Sequence, residues 1–191
     1  MQREIGEGRN HIDNRPGALN NSRAPRKAVR ALLLTEDREI LLIKILSPIR
    51  DLEMWMTPGG GIEAGETKTE ALQREVFEET GLKCFDAGPV VWTREFSFPW
   101  KNGVFHQYEE FYLIHTQHFK PTMHQNPAAG EQEIFQRFRW WSIDELLASN
   151  ERFAPPQLPR CISELIIQGV PSVPKDLTLP DQKTTLKPDS E

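Results

Sequence analysis

Apolar positions along the chain follow two periods and leave the two ends nearly blank. Residues 28–35 and 39–46 are short, almost continuous apolar runs separated by Glu36-Asp37-Arg38. Runs of that length, bounded by polar turn residues, predict a hairpin of two strands buried on both faces. Residues 47–55 form a charged stretch, and Trp55-Met56-Thr57 predicts a short strand stopped by Pro58 and three glycines. Thr67 to Thr80 contains no Gly or Pro and is rich in Glu, Ala, Leu, Gln and Arg. It predicts a helix with Thr67 as N-cap and Gly81 as the C′ residue. Residues 90–98 and 104–116 are aromatic and β-branched around a turn at 100–103, which predicts a second hairpin. A polar loop follows over 117–130, and residues 134–141 alternate as a strand does. Ser142, with Glu145 three residues later, predicts the cap of a short helix. Residues 159–168 predict a final amphipathic helix. Strands outnumber helices and mix with them, so the expected class is α/β (α+β), a sandwich built on a mixed sheet.

The blank ends set the domain limits. Residues 1–26 hold only Met1, Ile5, Ile12 and Leu19 as large apolar groups, which is too little burial to offset ordering entropy. A flexible N-terminal arm is expected there. Residues 171–191 carry four prolines, scattered charges and single leucines, and read as an extended tail laid against the surface. The span 27–170 remains as one folded domain with a real core.

Charge and cysteine content narrow the classes. Of the 191 residues, 23 are basic and 28 acidic, a net charge of −5. That balance argues against a chain that works mainly by coating nucleic acid or an anionic membrane. It leaves phosphate-bearing substrates open, because a bound cation reverses the sign of a site. Cys84 and Cys161 are too few for a disulfide framework or a four-cysteine zinc site, so a reduced, cytoplasmic chain is expected. No apolar run approaches the roughly 18–20 residues of a membrane span. The charged start, with Arg3, Glu4, Glu7 and Arg9, is followed by no apolar stretch of the secretory kind.

The chemistry concentrates between Gly59 and Leu82. A glycine-rich loop enters a helix carrying Arg74, Glu75, Glu78 and Glu79. At about 100° per residue, Glu78 falls near −60° and Glu79 near +40° of Glu75, so the three carboxylates share one face. Leu72 and Val76 start the adjoining apolar stripe. Like charges at such spacings are unfavourable and need compensation, by Arg74 or by a divalent cation. The plainer reading is a solvated acidic face. The loop also approaches a phosphate-binding G-x-x-x-x-G-K-[ST] motif, but Glu66 stands where the lysine belongs and would repel a polyphosphate.

The run Gly60–Leu82 resembles the Nudix box, G-x5-E-x7-R-E-U-x-E-E-x-G-U, where U is a bulky aliphatic residue. Gly60, Glu66, Arg74, Glu75, Val76, Glu78, Glu79, Gly81 and Leu82 all match. Average residue frequencies give that whole pattern by chance in roughly one in ten million chains of this length. The resemblance implies an α/β/α sandwich around a mixed sheet. It implies hydrolysis of a pyrophosphate bond in a nucleoside diphosphate linked to another group, with Mg²⁺ or Mn²⁺ as cofactor. It assigns Glu75, Glu78 and Glu79 to metal, with a carbonyl of Gly59 or Gly60 as a further ligand, Gly60 being preferred. Arg74 would orient a neighbouring glutamate, and Glu66 would brace the loop. The general base would be a box glutamate, Glu75 or Glu79, or else Glu131 or Glu133 from the late loop.

Substrate choice is less legible. Trp55, Trp92, Phe96, Phe98, Trp100 and Phe105 are candidates for stacking on a base, though core packing is the commoner role. His106, His115, His118 and His124 lie in one region without zinc-ligand spacing. The expected partner is a small nucleotide-type molecule, with no membrane and no nucleic acid beyond an RNA 5′ end; a homodimer stays open. The alternatives carried alongside are a non-catalytic nucleotide-sensing module on the same fold and an acidic-helix interaction protein without metal chemistry.

Overall fold

The computed structural model describes residues 24–47, 52–100, 103–123 and 134–180. Among them, strands β1 (Arg26–Leu34), β2 (Glu39–Ser47), β3 (Leu52–Met56), β4 (Val90–Trp100), β5 (Gly103–His115), β6 (Phe135–Ser142), β7 (Phe153–Ala154) and β8 (Lys175–Asp176) form one mixed sheet. The helices are α1 (Lys68–Thr80), α2 (Ile143–Ala148) and α3 (Leu158–Gln168). Strand order is β7-β3-β2-β1-β5-β4-β8, with β6 also paired to β2. The α+β class expected from the sequence is the one observed. The Trp55 strand begins earlier than expected, at Leu52.

The first hairpin is a fork rather than a ladder. β1 and β2 are in register only at Leu34 and Ile40. β1 then pairs in parallel with β5 along its whole length, Arg26–Leu34 against Gln107–His115. β2 turns to β3 and β6, both antiparallel. The backbone of β1 still needs partners where β2 has left it. The glycine loop supplies them: Ala31 N–H donates to Pro58 O at 2.8 Å, Val29 N–H to Gly60 O at 2.9 Å, and Ile62 N–H to Lys27 O at 3.0 Å. The fork thereby seats residues 58–62 in the sheet and delivers the chain to the start of α1.

Both faces of the sheet are covered, which is why β1 and β2 read as nearly continuous apolar runs, interrupted by Arg30 and Lys44. On one face Val29, Ala31, Leu33, Leu41, Tyr112 and Ile114 pack against Ala71, Leu72 and Val76 of α1. On the other, Leu32, Leu34, Ile40 and Leu42 pack with three tryptophans and with Leu158, Cys161, Ile162 and Leu165 of α3. Trp55 and Trp141 meet edge to face at 5.1 Å. Fully burying a side chain such as Leu72 contributes roughly 1.5–3 kcal/mol, so this packing, more than propensity, holds α1 in place.

The ends of α1 are fixed as the sequence implied. Thr67 accepts from Glu70 N–H while the Glu70 carboxylate accepts from Thr67 N–H, a reciprocal capping box. Gly81, at φ +78°, turns the chain out of the helix and donates to Phe77 O at 2.8 Å. Ser142 and Glu145 form a second such box on α2. Beyond α3 the chain runs along the outer edge of β4. β8 pairs there in parallel, Leu177 is buried, and Leu177 N–H donates to Thr93 O at 2.7 Å. No helix of the described residues is long and apolar enough to cross a membrane.

Candidate functional site

The centre of the site is the contact between the glycine loop and one face of α1. Arg74 is its hub. Its Nε and Nη2 grip the two Glu66 oxygens at 2.9 and 3.0 Å, and Nη2 also donates to Gly61 O at 3.0 Å. Nη1 reaches Glu75 Oε1 at 2.9 Å and Glu78 Oε2 at 3.3 Å. One guanidinium therefore ties loop to helix and offsets the repulsion between two of the three neighbouring carboxylates. Glu66 closes the loop further by accepting from Glu63 N–H at 3.0 Å. The hydrogen bond from Arg74 holds the Glu66 carboxyl below its ordinary range, and Glu66 in turn holds the Arg74 guanidinium in its charged form.

Glu75 and Glu79 meet the loop directly. The Glu75 carboxylate lies against Gly60 so closely that a β-carbon there would sit 2.5 Å from Oε1. Glu79 Oε2 accepts from Gly59 N–H at 2.7 Å. Gly59 has φ +130°, and a β-carbon on it would lie 2.2 Å from Val29 O. Glycine is required at residue 59 by both conformation and space. Glu75, Glu78 and Glu79 thus border the seam between α1 and the loop. Gly60 presents its carbonyl to Val29 N–H.

A second charged group, unforeseen from the sequence, adjoins the loop. Arg30 on β1 donates to Gly59 O at 2.5 Å and to Glu109 Oε1 at 2.8 Å. Glu109 on β5 is wholly buried. It also faces Arg94 of β4 at 2.5 Å and accepts from Gln107 at 2.9 Å. Burial by itself pushes the Glu109 carboxyl up; Arg94 and Arg30 outweigh it and hold the group below the carboxylate range. Burial likewise lowers Arg30, but Glu109, Glu79 and Glu75 reverse that and leave its pKa raised. Arg94 stays lowered, by burial first, with the like charge of Arg30 adding to it. The available sequence signal was the polar pair Gln107 and Glu109 alternating inside an apolar strand.

Other candidates are distributed more widely. Trp55 and Trp92 are core residues, exposed by 0 % and 2 %. Phe96 and Phe105 are half-buried, 6.3 Å apart, with the Arg94 guanidinium 4.2 Å from the Phe96 ring. The side chains of Phe98 and Trp100, together with His124, Glu131 and Glu133, lie outside the described residues. His106 contacts Glu95 at 2.8 Å, and His118 stacks on Trp140. Among the described residues no three His, Cys, Asp or Glu side chains are gathered closely enough to hold a metal ion. Arg74 engages Glu75 and Glu78, and the loop engages Glu79. A recess of about 100 Å³ beside the loop, lined by Lys27, Ala28, Ile62, Lys68, Tyr108 and Glu110, is too small for a nucleoside.

A mixed sheet split by a glycine loop, with an Arg-Glu-x-x-Glu-Glu helix laid against it, defines the class of this protein. The NUDIX domain profile matches residues 24–161. The RNA pyrophosphohydrolase of Rickettsia africae is 29% identical over 134 residues, 64% of this chain and 78% of that protein. The 8-oxo-dGDP phosphatase of Homo sapiens is 49% identical over 57 residues, 29% of this chain, and the match spans only 17% of that relative's length. Among solved structures, a MutT NUDIX hydrolase from Burkholderia pseudomallei aligns with a TM-score of 0.50 at 25% identity, covering 63% of this chain and 85% of that one. The chain belongs to the NUDIX domain family.

Proposed function

We propose that this protein is a Mg²⁺- or Mn²⁺-dependent hydrolase that cleaves a pyrophosphate bond in a nucleoside diphosphate linked to another group. The observation that carries the reading is the seam itself: Glu75, Glu78 and Glu79 brought to one face of α1 against a loop of glycines. The donor set fits a hard dication, being carboxylate oxygens with a backbone carbonyl, Gly60 O, alongside. The space at Gly60 fits as well, since any side chain there would strike the Glu75 carboxylate. Glu75, Glu78, Glu79 and Gly60 O would hold the ion, the carboxylates closing on it from the wider separation they keep here. When bound, it neutralises adjacent phosphates and polarises phosphorus toward water.

The chain's own residues supply the rest. Arg74 orients Glu75 and Glu78 and limits their mutual repulsion. Gly59 N–H orients Glu79. Glu66 fixes Arg74 through two parallel hydrogen bonds, which allow little rotation. The proton of the attacking water passes to a carboxylate oxygen of Glu75 or Glu79, or of Glu131 or Glu133 in the late segment. The names of the similar proteins support a nucleotide-type substrate, an oxidised nucleoside phosphate or an RNA 5′ end. The net charge of −5 favours the small molecule over long RNA.

The test is a screen of nucleoside di- and triphosphate derivatives, 8-oxo-dGDP and 5′-triphosphorylated RNA with Mg²⁺, reading phosphate and pyrophosphate release. The expected result is metal-dependent release from at least one compound, abolished by EDTA. Tight nucleotide and Mg²⁺ binding with no release from any compound would replace the hydrolase by the nucleotide-sensing alternative.

A further inference from the structure

The buried Arg94–Glu109–Arg30 chain is unbalanced. Two guanidiniums share one carboxylate, so a cluster closed off from water carries a surplus positive charge. Arg30 and Arg94 side chains are only 11% and 12% exposed, and Glu109 is not exposed at all. Surplus buried charge is tolerated only where an opposite charge or strong acceptors meet it. The acceptor here is Gly59 O, which Arg30 Nη1 holds at 2.5 Å. The opposite charges lie just beyond: Glu79, bound to the N–H of the same glycine, and Glu75. Gly59 is thus gripped on its carbonyl side by Arg30 and on its amide side by Glu79. Its neighbours Pro58 O and Gly60 O each accept one hydrogen bond from β1. Besides its ladder contacts to β1 and the bond from Arg74 to Gly61 O, the loop is anchored by Arg30, and Arg30 is aimed by a carboxylate that two other side chains, Arg94 and Gln107, keep in place.

We propose that Arg30 is a positioning residue: braced by Glu109 and Arg94, it sets the Gly59 peptides and thereby the aim of Glu79 and Glu75. It acts through the backbone, from the opposite end of the seam to Arg74. This rests on the metal-dependent reading of the site, but its first test does not. Arg30→Lys keeps the buried charge while losing the fork that spans Glu109 and Gly59 O. Glu109→Gln keeps the size and removes the charge that aims Arg30.

In the full chain without metal, hydrogen exchange of the Gly59–Ile62 amides should accelerate in both variants, while amides in the centre of α1 stay as protected as in the wild type. Titration with Mn²⁺ alone, followed by the electron paramagnetic resonance of the free ion, should show affinity weakened about 10–100-fold, the range for outer-shell partners of metal ligands. With substrate, kcat should fall while KM changes little. Unchanged loop exchange and unchanged Mn²⁺ affinity would overturn the proposal. A rise in KM alone would overturn it too, since it would mark Arg30 as a direct substrate contact. If Glu109→Gln unfolds the chain, Arg94→Lys loosens the same carboxylate and must give the same loop signature. Glu79→Gln separates the two ideas. If the wild type and Glu79→Gln bind Mn²⁺ equally, the metal reading fails, while loop exchange in the Arg30 variant still decides the brace.

Discussion

Replacing Gly60 by alanine probes how closely loop and helix are fitted. A β-carbon at residue 60 would lie 2.5 Å from Glu75 Oε1 and 2.6 Å from its carboxyl carbon. Ordinary contact begins at 3.4 Å, so the carboxylate must retreat by about 0.9 Å. The backbone is no obstacle, because Gly60 is not one of the glycines at positive φ. Arg74 resists the retreat, holding Glu75 Oε1 at 2.9 Å on a side chain that is 10% exposed. Because the clash meets the far end of a side chain and not backbone, the cost sits at the low end for overpacking, about 1 kcal/mol of stability or about 2–4 °C of melting temperature in a chain of this size. Displacing a catalytic group by about 1 Å costs on the order of 100-fold in rate. Steady-state phosphate release with Mg²⁺, with thermal unfolding measured alongside, should therefore show kcat down about 100-fold and a fold that stays cooperative. An unchanged kcat would refute the placement of Glu75 in the reaction. Gly59→Ala is the contrasting control. Its β-carbon would strike Val29 O at 2.2 Å and Arg30 Cα at 2.9 Å, both backbone, at φ +130°. Nothing there can yield, so stability and activity should fall together.

Other outcomes follow from single contacts. Glu78→Gln and Glu79→Gln should each lower turnover by at least about 10–100-fold with circular dichroism unchanged, and near-normal rates in both would contradict the site. Thr67→Ala removes the side-chain half of the capping box, the acceptor for Glu70 N–H, and leaves the Thr67 N–H bond to the Glu70 carboxylate; it should cost about 1 kcal/mol by urea denaturation while leaving KM unaltered, and no loss would show the cap to be redundant. Glu66 is held below its ordinary pKa of 4.5, first by the hydrogen bond from Arg74. Its depressed folded-state value means that its stabilisation is complete above that pH and is lost as pH falls through the lower folded value. Urea midpoints should therefore drop on acidification below that point, and the drop should be smaller in Glu66→Gln; identical pH profiles would argue against the Arg74–Glu66 clamp.

The local half of this protein was readable in its residues. The cap at Thr67, the exit at Gly81 and the face shared by Glu75, Glu78 and Glu79 depend on spacings of three and four, which the α-helix fixes by its own geometry. The strands of the second hairpin depend on neighbours in sequence and were equally legible. What a linear pattern could not carry was the choice of partner. Two apolar runs separated by a polar turn suggest a full hairpin, yet β1 leaves β2 after one registered pair and lies beside β5. Burial on both faces says that a strand is central; it does not say which strands flank it. That choice opened the gap for the glycine loop and brought Arg30 to Glu109, 79 residues away. Such a pair follows no period, and its charges could be accepted in the interior only because distant strands supplied each with a partner. The acidic ridge was thus written in the helix, whereas the brace beneath its loop came into being only with the folded sheet.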